Sequence, residues 1–460
     1  MLAYFRATIF IASALVVISF ILISSALLRD RVLTLLPPIE SALASLGRPF
    51  GQSAYSHCKY SDPYRRPGLL LRRSCNDSQP IDYADPLARW IPLDFENLTS
   101  PVEAEYPPLA SSAEYDAFYI DNNETVDNAA QSRAPISWMA RLVQYQALLK
   151  KTADASEYDE VEQELSDNMQ WVHGRRILLL GDSVDRHNVF SFCTFLGLEP
   201  EETAGPELPA KHSTAYCHSP LLNFTIVQWH IPSMATHKPE NWWFRPEMKI
   251  VAFEKRFADI FIPWSFENGI LQHTSPDLVL FQSGLWDERA FAEATHYYET
   301  ASQSQDGKRP YWKTPRKQVT YQHLHFLSVR LRKLVATVRQ LFGDSIPLMY
   351  RAQIPRGQHT IRADDLGVIS IDRMARVLAE QLDIEVFEWG KIVYGFDDEY
   401  MDDLHPKPAN SLTWVFCDMV MSYLFRSVGG VEVEGKVVRG PTESRGWNEC
   451  HSTFVEAYNR

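Results

Sequence analysis

The chain has 460 residues, 45% hydrophobic and 22% charged, with 45 basic against 58 acidic side chains and a formal net charge of −13. That balance excludes disorder, collagen and coiled coil for the chain as a whole. The acidic excess argues against nucleic acid as the main partner, because phosphate binding needs a basic face.

Residues 1–6 form a short tail before the 22 uncharged residues from Ala7 to Leu28, ATIFIASALVVISFILISSALL. At 1.5 Å per residue this run exceeds a hydrocarbon thickness of about 30 Å, which predicts a single-pass transmembrane signal-anchor. Ser24-Ser25-Ala26 keeps a cleaved signal peptide open. Arg6 on one side and Arg29 and Arg31 on the other leave the charge rule for orientation nearly balanced. Four N-x-S/T sequons follow, at Asn76, Asn97, Asn123 and Asn223. Six cysteines (Cys58, Cys75, Cys193, Cys217, Cys417 and Cys450) are an even set for three disulfides and show no zinc spacing. Together these predict a type II protein with a lumenal body.

Residues 29–135 read as a stem and irregular subdomain, holding 12 of the 28 prolines with poor hydrophobic periodicity. Residues 136–460 read as the catalytic domain. A helix is expected over 136–150, then an acidic connector from Asp154 to Asp167. Ile177-Leu178-Leu179-Leu180 and Leu278-Val279-Leu280-Phe281 are continuous apolar runs, the pattern of strands buried on both faces of a parallel sheet. Ile346–Tyr350 and Ile384–Phe387 are further strand candidates. Helical stripes lie between and after them: Leu324 to Leu341, Met374 to Leu382, and Leu412 to Leu424, the last ended by Gly429-Gly430. Alternating strands and helices predict an α/β fold, a three-layer α/β/α sandwich around a central parallel sheet.

The first buried run leads into Gly181-Asp182-Ser183-Val184-Asp185-Arg186. A strand, a tight turn and a helix place side chains at the carboxyl end of a sheet, where α/β folds bind ligands. Asp185 stands where the G-x-S-x-G nucleophile elbow needs glycine. Ser183 needs a base to take its proton. Asp402-Asp403-Leu404-His405-Pro406 offers one after the last strand and before the last long helix. Asp402 and His405, three apart, share a face if that turn is helical, so the carboxylate holds one imidazole nitrogen and frees the other.

A GDS followed much later by DxxH resembles the GDSL, or SGNH, esterases and acyltransferases. Phe281-Gln282-Ser283-Gly284-Leu285-Trp286-Asp287 resembles the F-N-[ST]-G-x-W-W stretch of the PC-esterase group, which includes the trichome-birefringence-like polysaccharide O-acetyltransferases, single-pass Golgi proteins. Arg186 matches the arginine of their G-D-S-x-x-R motif, and Tyr83–Pro92 is similar to their W-R-W-x-P region. Gln282 stands where those proteins carry Asn, Asp287 replaces the second Trp, and DDLHPKP lacks the cysteines of their D-C-x-H-W-C-L-P block. The resemblance implies Ser183 as nucleophile, His405 as base and Asp402 as its orienting acid. It also implies oxyanion or substrate roles around Gly284, Gln282, Arg186 and Trp286.

The expected function is a Golgi-lumenal O-acetyltransferase acting on polysaccharide or glycan hydroxyls through an acyl-serine. No cofactor or metal is expected; an acetyl donor such as acetyl-CoA would be a co-substrate. An acetylesterase using the same triad and a silent glycan-binding domain are the alternatives, and a cleaved leader would favour a secreted or cell-surface esterase. His323 and His325 are two apart and unsuited to one metal. Asp397-Asp398-Glu399 beside Asp402-Asp403 reads as an acidic loop in preference to a cation site. Trp242-Trp243 suits sugar stacking or core equally.

Overall fold

The computed structural model describes residues 62–73, 81–92, 134–152, 158–203, 214–236, 250–271, 275–291, 319–354, 363–402, 404–433 and 436–439. All fall within one compact unit, Cys58–Arg460. The predicted anchor at 7–28, the sequons at Asn76, Asn97 and Asn123, the cysteines Cys58, Cys75 and Cys450, and Trp242-Trp243 lie outside them. Among the described residues no helix is long and apolar enough to cross a membrane.

An antiparallel hairpin, β1 (Gly68–Arg72) and β2 (Ala88–Pro92), comes first, pairing Leu70 with Trp90. Helices α1 (Trp138–Thr152) and α2 (Glu160–Met169) follow. Then come β3 (Arg176–Gly181), α3 (Ser183–Phe195), β4 (Glu201–Thr203), β5 (Thr214–Ser219) and β6 (Phe224–His230). Two short helices, α4 (Phe253–Arg256) and α5 (Ile262–Glu267), flank a π-helical turn at Phe257–Phe261. The rest alternates: β7 (Leu278–Phe281), α6 (Tyr321–Phe342), β8 (Leu348–Arg351), α7 (Ala363–Gln381), β9 (Glu385–Phe387), α8 (Trp389–Ile392) and α9 (Ser411–Ser427). A small hairpin, β10 (Val431–Val433) and β11 (Lys436–Arg439), follows α9.

The main sheet has seven strands in the order β4-β5-β6-β3-β7-β8-β9. From β6 to β9 every pairing is parallel. At the other edge β5 runs antiparallel to β6, and β4 antiparallel to β5. The sheet is therefore mixed, which corrects the expectation of a purely parallel one. The cause is the connection: Ser219 and Phe224 are joined by a tight turn with Asn223 at φ 47°, and strands joined by so short a link must be antiparallel.

Alternation along the central strands sends side chains to two cores. Ile177 and Leu179 of β3, with Leu278 and Leu280 of β7, join the core that holds α1, α3 and α9. Leu178, Leu180, Val279 and Phe281 join the core on the opposite face, built with α6, α7 and the Phe253–Phe261 region. Helices thus cover both faces, which is why these strands read as unbroken apolar runs.

Tyr64, Leu70, Leu87 and Trp90, from the region read as a stem, sit in the same core as α9. Asp62 accepts from Tyr423 Oη at 2.7 Å and lies 3.7 Å from Arg426. A boundary at 135/136 therefore does not divide the core. Cys193 and Cys217 form a disulfide joining α3 to β5, whereas Cys417 is a buried free thiol. Among the described residues, then, one of the expected disulfides forms.

Candidate active site

The site begins where β3 ends. A Cβ on Gly181 would meet Asp185 Oδ2 at 1.8 Å, so only glycine allows Asp185 to fold back under the strand end. Asp185 there forms a buried ion pair with Arg351, Nε to Oδ1 at 2.6 Å and Nη2 to Oδ2 at 3.0 Å. Burial pushes the Asp185 carboxyl up, against the pull of Arg351. Gln228 Nε2 of β6 donates to the carbonyls of Gly181 and Asp182 at 2.8 and 3.1 Å. The turn is thus gripped from β6 and from β8.

Asp182 caps α3 by accepting from Val184 N–H at 3.0 Å, which leaves Ser183 as the first helical residue. Ser183 Oγ lies 2.7 Å from His405 Nε2. His405 Nδ1 faces Asp402, 2.8 Å from Oδ2 and 3.0 Å from Oδ1. The structure thereby brings Ser183, His405 and Asp402 into one line across 222 residues of chain.

The Asp–His pair sits on a loop, not on a helical turn as the spacing argument assumed. A β-bridge between Tyr400 and Pro406 closes the loop, with Met401 N–H donating to His405 O at 2.9 Å. Asp402 Oδ1 accepts from the N–H groups of Leu404 and His405, both at 2.8 Å, so the carboxylate organises the turn that carries its imidazole. Burial raises the Asp402 carboxyl, but these two N–H donors and the His405 side chain outweigh it and hold the group below its usual value. The Asp402 side chain is 52% exposed and that of His405 18%.

Outside the loop, Arg72 of β1 reaches Asp398 at 2.7 Å and Glu399 at 3.1 Å. Those acids are thereby engaged by an arginine, and among the described residues no cluster of three or more metal-type ligands occurs. His323 stacks on Phe291 with ring centroids 4.1 Å apart.

The remaining predicted site residues fall less centrally. Gln282 has no exposed surface, and its Oε1 accepts from Gln353 Nε2 at 2.9 Å. Gly284 accepts Glu288 N–H at 2.8 Å, and a Cβ there would press on Ile371 at 2.9 Å and Gln353 at 3.0 Å. Arg186 pairs with Glu202 of β4 at 3.0 Å and lies over Phe190. Trp286 is 9% exposed and packs against Val251, so most of its ring is core. Asp287 accepts from Ser283 Oγ at 2.5 Å and Met234 N–H at 2.8 Å; burial pushes its carboxyl up to about 6. Asn223, the described sequon residue, is exposed on its turn. Asp403 lies outside the described residues.

Sequence reasoning missed Gln228 of β6 and Arg351 of β8, which brace the turn, and Gln353 just after β8, which donates to Gln282 Oε1 and Ser283 O. It also missed His187, whose ring lies against His405. Only the i+4 spacing of His187 from Ser183 was visible beforehand.

No protein-family model matches the chain, and no curated protein does. Among solved structures it is similar to Axe2, an acetylxylan esterase from Geobacillus stearothermophilus, with 11% identity, 59% of this chain and 100% of that one covered, and a TM-score of 0.29. It is also similar to the acetyl xylan esterase AlAXEase (11% identity, 54% and 98% covered, TM-score 0.27). An aryl esterase from M. smegmatis gives 14% identity, 54% and 99% covered, and a TM-score of 0.29.

Proposed function

We propose that the chain is an SGNH-like acyl-serine enzyme that moves acetyl groups onto glycan hydroxyls from a lumenal, membrane-anchored position. The observation that carries the acyl-serine chemistry is the Ser183–His405–Asp402 line, 2.7 Å and 2.8 Å. Its motif resemblance to polysaccharide O-acetyltransferases supports acetyl and glycan as the group and the substrate class. The uncharged run at 7–28 supports the anchor and, through retention where glycans are built, the transferase.

Ser183 Oγ attacks the acyl carbonyl while His405 Nε2 takes its proton; Asp402 holds Nδ1–H and stabilises the imidazolium. Backbone N–H groups of Ser183 and Gly284 are the proposed oxyanion donors. His405 then protonates the leaving group, and an acyl-serine remains. In the second half, a sugar hydroxyl gives its proton to His405 and its oxygen bonds the acyl carbon; the bond to Ser183 Oγ breaks, and His405 returns the proton to Oγ. Water in its place gives acetate. Hydrolysis is the second reading, favoured by the 52% exposure of Asp402, which leaves this side of the site open to solvent.

The test offers the full chain an acetyl donor with unacetylated glycans and, separately, acetylated glycans without donor, with Ser183→Ala as the blank. Ser183-dependent incorporation exceeding acetate release is expected. Acetate release with no incorporation assigns the chain as an esterase. Failure of Ser183 to label with a fluorophosphonate would leave a glycan-binding domain.

A further inference from the structure

The two hydrogen bonds to His405 leave one freedom open. Ser183 Oγ meets Nε2 and Asp402 meets Nδ1, on opposite sides of the ring, so they fix its position along that line. They restrain rotation of the ring plane about the line only weakly, because Asp402 is half in solvent and both its oxygens lie within 3.0 Å of Nδ1. A tilted imidazole points its Nε2 lone pair off the serine hydroxyl.

His187 stands at the open face. It lies four residues after Ser183 in α3, one turn on and on the same side of the helix. Its ring centroid is 4.8 Å from that of His405, with the planes at 46°, and 6.3 Å from that of Phe190, with the planes at 62°. One helical turn therefore carries both the nucleophile and the surface against which the base rests. We propose that His187 is a positioning residue that holds the His405 ring in the plane where Nε2 meets Ser183; this rests on the acyl-serine reading above.

The charge state fits that role. Burial first, then the neighbouring His405 and Arg186, push His187 down to about 4, with Asp402 acting in the opposite sense. Above about pH 4 the His187 ring is thus mostly neutral, and a neutral ring does not oppose the imidazolium that forms beside it. A fixed cation at this distance would.

The test reads acylation, which transfer and hydrolysis share: the burst of nitrophenolate when the full-length protein meets 4-nitrophenyl acetate. His187→Ala is expected to slow the burst by about tenfold with KM changed less than about twofold, because a misplaced base lowers the rate without altering ester binding. His187→Phe, which keeps a neutral flat ring, is expected to recover most of that loss. His187→Lys is expected to be at least as slow as His187→Ala, with the acid limb of the pH–rate profile displaced to lower pH. A wild-type burst that His187→Ala leaves intact overturns the proposal alone. So does a His187→Phe variant as slow as His187→Ala with a raised KM, which would mean that the ring nitrogens bind substrate. A wild-type protein with no Ser183-dependent nitrophenolate release overturns the acyl-serine reading and the positioning role with it.

Discussion

Asp402 holds two backbone N–H groups and an imidazole with a single carboxylate, so its charge and the shape of the loop depend on each other. Asp402→Asn keeps the size but presents an amide to Nδ1, which favours the wrong tautomer. Turnover is expected to fall by about 10²–10⁴-fold, measured as Ser183-dependent ester cleavage. Asp403→Asn is expected to cost far less; equal losses would show that the wrong carboxylate had been assigned. Because its pKa is depressed, the stabilisation Asp402 adds is present above the unfolded-state value and is lost only as pH falls through the lowered one. The three polar residues were legible because each sits in a short local motif at the end of a periodic segment. Arg351, Gln353 and His187 were not, since their roles exist only once distant strands and loops meet.

Among the elements, the junction of α1 with α9 and β10 makes its own pH prediction. Asp418 Oδ1 accepts from Ser137 Oγ and Met139 N–H at 3.1 and 2.9 Å, and Glu432 accepts from Ile136 N–H and Trp138 Nε1 at 2.5 and 2.8 Å. Burial pushes both carboxyls up to about 7, past the help of these donors. Between the ordinary carboxylate range and about pH 7 the native state therefore binds more protons than the unfolded one, so stability falls as pH rises through this window. Thermal midpoints measured from pH 5 to 8 are expected to decline, and Asp418→Asn, which keeps the acceptor without the charge, to flatten the slope. A midpoint rising across that range contradicts the assignment. Strands β3 and β7 were legible because burial on both faces leaves no polar residue in the run. By contrast β5, TAYCHS, alternates at the edge side of the sheet, and its tight turn to β6 contains no glycine. The antiparallel half of the sheet was accordingly invisible.

At the scale of the molecule, the β1–β2 hairpin shares the core of α9 and, through Arg72, holds Asp398 and Glu399 just before the His405 loop. Its poor periodicity hid this, because Tyr64, Leu70, Leu87 and Trp90 enter the core singly from an irregular segment. The proposed topology predicts that the full chain, expressed in a secretory cell, shifts on gels after endoglycosidase and resists alkaline carbonate extraction. Asn223→Gln is expected to remove one step of that shift, since Asn223 is exposed on its turn. An unshifted band contradicts a lumenal body.

The central claim is that Ser183 carries the acyl group, and acid-quenched mass spectrometry reads it directly. After brief mixing with 4-nitrophenyl acetate, the peptide containing Ser183 is expected to gain one acetyl group, and His405→Ala to abolish that gain at the same mixing time. An acetyl group on another residue, or wild-type and His405→Ala proteins acylated alike, contradicts the account.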